Sequence, residues 1–221
     1  ELFKNKDPRF FASVWTNGTA WKGGNVTSHH GLIDGNGKLL EDEADAYEGI
    51  EAWGNQNFSG NFGPGFGILK MLDDNSNCNM DEKDGIDCPI FRYGEVLLNL
   101  AEASFELGKT NEALEAINEI RERAGIAPKT SIDREAIRHE RKVELAFEGH
   151  RFWDARRWHI AEETFSKNPS GLRFILDYKS SNFNGSNYNT DRKFKIQVIS
   201  NFDARTPEFR SEHYYFPITK A

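Results

Sequence analysis

Three glutamates, Glu140, Glu144 and Glu148, follow one another at intervals of four residues. On a helix that spacing sets the carboxylates on a single stripe, and glycoside hydrolysis uses a pair of carboxylates as acid and as nucleophile or base. The same stretch carries Arg138, Arg141, Arg151 and Arg157. Guanidinium groups close enough to pair with the glutamates lower their pKa values, whereas a general acid needs them raised. The stripe therefore reads as a structural ion network that fixes two helices together and serves packing specificity more than net stability. No catalytic residue is assigned, and the chain is not read as an enzyme.

Other chemistry-bearing residues are sparser. His29-His30 could ligate a metal, but no second cluster accompanies the pair, which reads as solvated loop histidines. Asp73, Asn75, Asn77, Asn79 and Asp81 place oxygens at alternate positions, with Asp84 at the twelfth, in partial mimicry of a calcium loop. Cys78 stands where that loop needs glycine and the last ligand is Asp rather than Glu, so no metal site is assigned. Cys78 and Cys88 lie ten apart, and a disulfide and two free thiols both remain open. Cys-x-x-Cys, His-Glu-x-x-His and Gly-x-Gly-x-x-Gly are all absent, so zinc, thiol-redox and dinucleotide cofactors lack their minimal chemistry, and no cofactor is expected.

Aromatic side chains make the stronger functional candidate. Trp15, Trp21, Tyr47 and Trp53 fall in Gly/Asn-rich stretches rather than periodic ones. Such rings either pack against the body of the fold or form flat platforms that hold sugar faces. Asn17, Lys22 and Asn25 stand beside them as hydrogen-bonding groups, so Trp15, Asn17, Trp21, Lys22, Tyr47 and Trp53 form the candidate ligand site. A formal charge of −7 argues against a nucleic-acid partner, and the arginines of 134–157 are compensated by interleaved Glu and Asp. No apolar run approaches the ~20 residues of a membrane-spanning helix.

The elements that would position these groups differ along the chain. Arg9 to Thr16 reads as a short strand ending in an Asn17-Gly18 turn, and Phe66 to Leu72 as a second strand. Apolar residues at helical spacing from Phe91 to Ala124, broken at Gly108-Lys109-Thr110-Asn111, predict a helical hairpin whose second helix is capped by Asn111 or Thr110. A third helix, capped by Thr130 or Ser131, runs to Glu148-Gly149, and a short fourth one follows, giving four helices between Phe91 and Thr164. Phe194, Ile196 and Val198 alternate with polar residues as in a half-buried strand, and Tyr214 to Ile218 closes as an apolar extended tail. The expectation is one α-rich, mixed (α+β) domain over 1–221: a loop-rich part at 1–88, a helical core at 89–165 and a loop and short-strand tail at 166–221.

Four segments in this order resemble the C-terminal portion of the SusD/RagB family: Asp7-Pro8-Arg9-Phe10-Phe11-Ala12; Pro89 to Ala103 continuing through Glu112-Ala113-Leu114 and Ile117 to Gly125; Glu140 to Trp158; and Tyr214-Tyr215-Phe216-Pro217-Ile218. The resemblance implies a tetratricopeptide-like scaffold with loop and short-strand insertions. It also implies noncatalytic capture of glycans or related nutrients at the outer-membrane surface of a Gram-negative cell, by a lipoprotein lying over a SusC-like TonB-dependent transporter. Part of the ligand platform is expected after the Asp-Pro-Arg-Phe segment. Two features depart from the family: the N-terminal part with its lipid-anchored cysteine is absent from this sequence, as is the usual Asn-Pro-Gly after Tyr-Phe-Pro-Ile. A helical-repeat scaffold for protein–protein interaction is the alternative reading of the hairpin.

Overall fold

The computed structural model describes residues 3–21, 24–26, 28–40, 47–48, 65–72, 89–178, 192–200 and 207–215. The Asp73 to Asp84 loop, both cysteines, Lys22, Trp53 and the 180–190 loop lie outside the described residues. The chain forms two compact units, each gathered from separated stretches: one from Glu1–Val14, Ile68–Ala161 and Tyr214–Ala221, the other from Trp15–Gly67 and Glu162–His213. The fold is helix-rich α+β.

In the helical unit, α1 spans Pro8–Ser13. The Asp7 carboxylate accepts a hydrogen bond from the Arg9 amide at 2.9 Å, and proline occupies the first turn. This is an N-cap followed by a residue with preset φ, and it overrides the strand expected from Arg9; only β1, Val14–Thr16, is extended. Helices α2 (Tyr93–Glu106) and α3 (Thr110–Arg123) form the expected hairpin. Leu97, Leu98 and Ala101 of α2 are buried with Ala116, Ile117 and Ile120 of α3, while Ile137 and Leu145 complete the cluster. Ala101 and Ala113 are 0% exposed, so small residues do stand inside the hairpin. Helix α3 begins after Lys109 without a side-chain cap.

Helix α4 is shorter than its pattern suggested, Arg134–Glu144. Asp133, not Thr130 or Ser131, caps it, accepting from the Ala136 amide at 2.7 Å. Residues 145–149 turn, with Phe147 at φ +66° and Gly149 at φ +80°, before α5, His150–Arg157. A further short helix, α6 at Ala161–Phe165, adds to the four expected. Tyr214 ends a 3-10 turn, Ser211–Tyr214, where an extended tail was expected. Two hydrogen bonds favour the turned form: the Tyr214 hydroxyl accepts from the Ala161 amide at 2.9 Å, and its carbonyl accepts from Arg156.

The second unit is built on short strands: β2 (Ala20–Trp21), β3 (Gly24–Asn25), β4 (His29–His30), β5 (Leu32–Ile33), β6 (Leu39–Leu40), β7 (Tyr47–Glu48), β8 (Phe66–Ile68), β9 (Gly171–Asp177) and β10 (Phe194–Ile199). A four-stranded sheet runs β10-β9-β5-β6, with β9 parallel to β5 and the other neighbours antiparallel. Leu32 and Leu176 sit at its core, with Leu40, Tyr178 and Phe194 packed on them. Strand β8 stops at Ile68, three residues before Met71 takes a left-handed φ of +66°. Strand β10 does not alternate in burial: Ile196 and Val198 are 44% and 64% exposed rather than half-buried, on a strand at the edge of the sheet. His29 corrects the solvated-loop reading: it is 2% exposed, on β4, and its ring lies 6.4 Å from that of Phe194. Among the described residues no helix is long and apolar enough to cross a membrane.

Candidate functional site

The candidate platform residues begin on β1. Trp15 is half-buried and its indole lies directly against Gly67 of β8: a Cβ there would stand 2.1 Å from two of the ring carbons. Only glycine can occupy that position with the ring where it is. Thr16 fixes the strand end, its hydroxyl donating to the Gly65 carbonyl at 2.8 Å and its amide to Thr19 Oγ1 at 2.9 Å. The chain then turns through Asn17-Gly18, with Gly18 at φ +88°, into the β2–β3 hairpin, where Trp21 faces Gly24 and Ala20 faces Asn25.

Asn17 commits its side-chain oxygen to the fold, accepting from the Ser28 amide at 2.8 Å. That bond holds the start of β4, whose His30 stands opposite Tyr47 of β7. Trp15, Trp21 and Tyr47 thus lie on three separate two-stranded sheets, β1–β8, β2–β3 and β4–β7, with Asn25 opposite Ala20 in the second and Asn17 bonded to the residue before β4. Trp21 is half-buried and Asn25 exposed. These residues lie on short strands and a turn rather than in open loops, and strands hold a ring more rigidly than a loop would. The sequence reading missed Gly65 and Gly67, since only strand pairing across about fifty residues reveals what they accommodate.

The glutamate stripe forms the second concentration of chemistry, in the helical unit. Glu140 and Glu144 are 0% and 3% exposed. Arg9 reaches both, its guanidinium nitrogens 2.7 Å from Glu140 Oε1 and 3.0 Å from Glu144 Oε2. Arg121 meets Glu140 at 2.9 Å, and Arg92 and Arg123 each meet Glu144 at 2.6 Å. Arg92 also bonds Glu148 at 2.7 Å, where Lys70 joins it. Lys70 donates to the Glu144 and Ala146 carbonyls at 3.0 and 3.1 Å, and Arg92 to the Glu144 carbonyl at 2.8 Å. Two cations therefore satisfy carbonyls that the end of α4 leaves without helical partners. Gly94 makes room: a Cβ there would lie 2.5 Å from Arg92 Nη1 and 3.1 Å from Glu144 Oε1.

The network expected from the stripe is present, but its cations are Arg9, Lys70, Arg92, Arg121 and Arg123, not the neighbouring Arg138, Arg141, Arg151 and Arg157. Helix direction explains the difference. Arg141 lies on another face of α4 and, 5% exposed, pairs with Asp154 of α5 at 2.8 Å. Arg157 also bonds Asp154, at 3.0 Å, and Arg138 stacks over Trp158 at 5.0 Å. The available signal was that Arg9 and Arg92 stand beside helix starts, inside the segments that carry the family resemblance.

Chemically the stripe is set against proton donation. Burial pushes the Glu144 and Glu148 carboxyls up, but the guanidiniums of Arg92 and Arg9 on the first, and of Arg92 with the Lys70 ammonium on the second, outweigh it and hold both below the usual carboxylate range. Hydrogen bonding from Arg9 likewise depresses Asp7. Folded values below unfolded ones mean that these carboxylates contribute stability fully above about pH 4.5 and lose it as pH falls through the folded values. The urea midpoint of the helical unit, followed by far-UV circular dichroism, is expected to stay level from about pH 7 to 5 and to drop below that. A midpoint that rises on acidification would contradict the network.

Comparison with known proteins places this architecture. The model of the SusD family (SusD_RagB) matches residues 1–221. The chain is 36% identical to the SusD-like protein P38 of Formosa agariphila over 94 residues, 36% of this chain and 18% of that protein. It is 39% identical to the SusD-like protein P2 of the same organism over 94 residues, 37% of this chain and 18% of that one. A SusD-like protein from Bacteroides fragilis superposes with a TM-score of 0.64 at 25% identity, over 96% of this chain and 36% of that chain. A SusD-like carbohydrate binding protein, also from B. fragilis, does so with a TM-score of 0.60 at 25% identity, over 99% and 40%. The chain thus spans about a fifth of the curated relatives and under half of the solved ones. With the family match running from the first residue to the last, the chain belongs to the SusD/RagB family.

Proposed function

We propose that this chain is part of a noncatalytic carbohydrate-binding protein of the outer-membrane surface, which holds glycans or related nutrients for delivery to a SusC-like TonB-dependent transporter. The two units together serve as its C-terminal domain over 1–221, and a lipid anchor on another part of the polypeptide attaches it to the membrane. Family membership supports this reading, as does the similarity to a protein described as SusD-like and carbohydrate binding. The observation that carries it is that Trp15, Asn17, Trp21 and the backbone of Tyr47 are held by strand and turn hydrogen bonds; the proposed ligand site also takes in Lys22 and Trp53. An indole offers an apolar face to a sugar ring, and the adjacent amides offer hydrogen bonds to its hydroxyls. Carboxylates held ionised by arginine support the noncatalytic assignment.

The test is calorimetric titration of the full-length protein with a panel of neutral and acidic oligosaccharides. Trp21→Ala is expected to weaken binding by about tenfold, equivalent to roughly 1.4 kcal/mol, without altering the circular dichroism spectrum. Trp15→Ala is the less clean probe because the ring also packs on Gly67. If no oligosaccharide binds, or both variants bind as the parent does, this reading is wrong. Copurification of the transporter tests the delivery step separately.

One observation favours the scaffold alternative. Helix α2 and its C-cap Leu107 leave Tyr93, Val96, Leu100 and Leu107 between 41% and 73% exposed, at spacings of three, four and seven that form a second apolar stripe. A protein that copurifies with the chain and is lost on Leu100→Glu, with no glycan bound, would promote that reading.

A further inference from the structure

Beside the ion pairs of α2, α4 and α5 lies a shallow depression, open to solvent, of about 350 Å³, lined by Asn99, Glu102, Ala103, Glu106, Arg141 and Arg157. Its charges are balanced. Arg141 is 5% exposed and donates Nε to Asp154 at 2.8 Å and Nη1 to Asn99 Oδ1 at 2.9 Å. Its Nη2 group lies 4.0 Å from Glu95 Oε1, beyond hydrogen-bond reach, so Arg141, one of the lining residues, keeps donor capacity. Asn99 gives its oxygen to Arg141, which leaves its NH2 as a donor. Glu102 accepts from both Arg157 Nη groups and from Trp158 Nε1, and Glu106 from Arg134 Nε and Nη2. Each carboxylate retains lone pairs beyond those bonds.

The mixture selects the ligand. Carboxylate or phosphate would meet Glu102 and Glu106, and a cation would meet Arg141 and Arg157. A hydroxyl both donates and accepts, so neighbouring hydroxyls can satisfy both kinds of group without adding charge to a balanced site. We propose that this depression binds a neutral polyhydroxylated ligand, a single sugar ring whose hydroxyls accept from Arg141 and Asn99 and donate to Glu102 and Glu106. It is a carbohydrate contact in the helical unit, assigned independently of the aromatic residues.

The test follows the arginine Nε–H resonances of the ¹⁵N-labelled full-length protein during millimolar titrations with glucose, galactose and mannose, and separately with acetate and phosphate. The Arg141 Nε–H, shielded by its bond to Asp154, is the reporter. At least one sugar is expected to shift it saturably, and Ala103→Leu, which fills the depression at an exposed helical position with a good helix former, weakens that response about tenfold. Trp21→Ala leaves it unchanged. The proposal is overturned if none of the three sugars gives a saturable shift, if the anions do and the sugars do not, if Ala103→Leu responds as the parent does, or if Trp21→Ala abolishes the response.

Discussion

Glu144→Ala is expected to lower the unfolding free energy of the helical unit by about 3–5 kcal/mol, the range for removing one partner of a buried ion pair. The Glu144 side chain is 2% exposed and meets Arg9, Arg92 and Arg123. Without it, Arg9 keeps Asp7 and Glu140 and Arg92 keeps only Glu148 and the Glu144 carbonyl, both on the buried side of the site, while Arg123, 61% exposed, can turn to solvent. The loss reflects undercompensated charge more than the value of the pairs themselves, because the cost of desolvating Glu144, Arg9 and Arg92 offsets much of their attraction. Urea unfolding followed by circular dichroism measures it, with Glu144→Gln separating charge from volume. A loss under about 1 kcal/mol would show that the arginines turn to solvent and that the network is peripheral to the fold.

The second unit has its own sensitive point at Gly65. Its φ of +74° is strained for any residue with a side chain, and an added Cβ would fall 2.4 Å from the Leu172 carbonyl oxygen and 3.0 Å from the Phe174 ring. Backbone cannot step aside as a flexible side chain can. Gly65→Ala is therefore expected to cost roughly 2–4 kcal/mol, combining positive-φ strain with overpacking. Because the Gly65 carbonyl accepts the Thr16 hydroxyl, the variant should also disturb the end of β1. Tryptophan fluorescence should shift along with the midpoint of unfolding. A variant of parental stability and unchanged emission would mean that this close approach is absent in solution.

The helices were legible because 3.6-residue periodicity runs through α2, α3 and α4 for more than ten residues each, long enough for the buried stripe to stand out. Strands of two residues, such as β2, β4 and β5, contain no period to read. His29 was misjudged for that reason: its burial comes from pairing with β7 and from Phe194, not from any pattern in Ser28-His29-His30-Gly31. Helix α1 was missed because Phe10-Phe11 favours a strand locally, while Asp7-Pro8 supplies the stronger start signal. At the candidate site the types of Trp15, Asn17 and Trp21 were visible, but not their partners. Gly67 and Ser28 belong to other strands, and which strands meet is settled by the sheet as a whole. The ion network divided in the same way: its carboxylates lie close together in sequence, Glu140 and Glu144 on α4 and Glu148 in the turn after it, and could be counted, whereas its cations come from four other stretches of chain.

That dispersal also orders events in time. Arg9, Lys70 and Arg92 must all meet a helix that ends at Glu144, across separations of up to 135 residues. A growing polypeptide emerging from the ribosome can close the α2–α3 hairpin as soon as residue 123 is out, because those contacts are local. Arg9 has Asp7 beside it but no glutamate to meet until α4 follows, and the sheet of the second unit waits longer still, for β9 at residues 171–177. Arg9 thus waits for Glu144 while the ribosome adds 135 residues. Loop closure over such distances makes the last step of assembly the slow one.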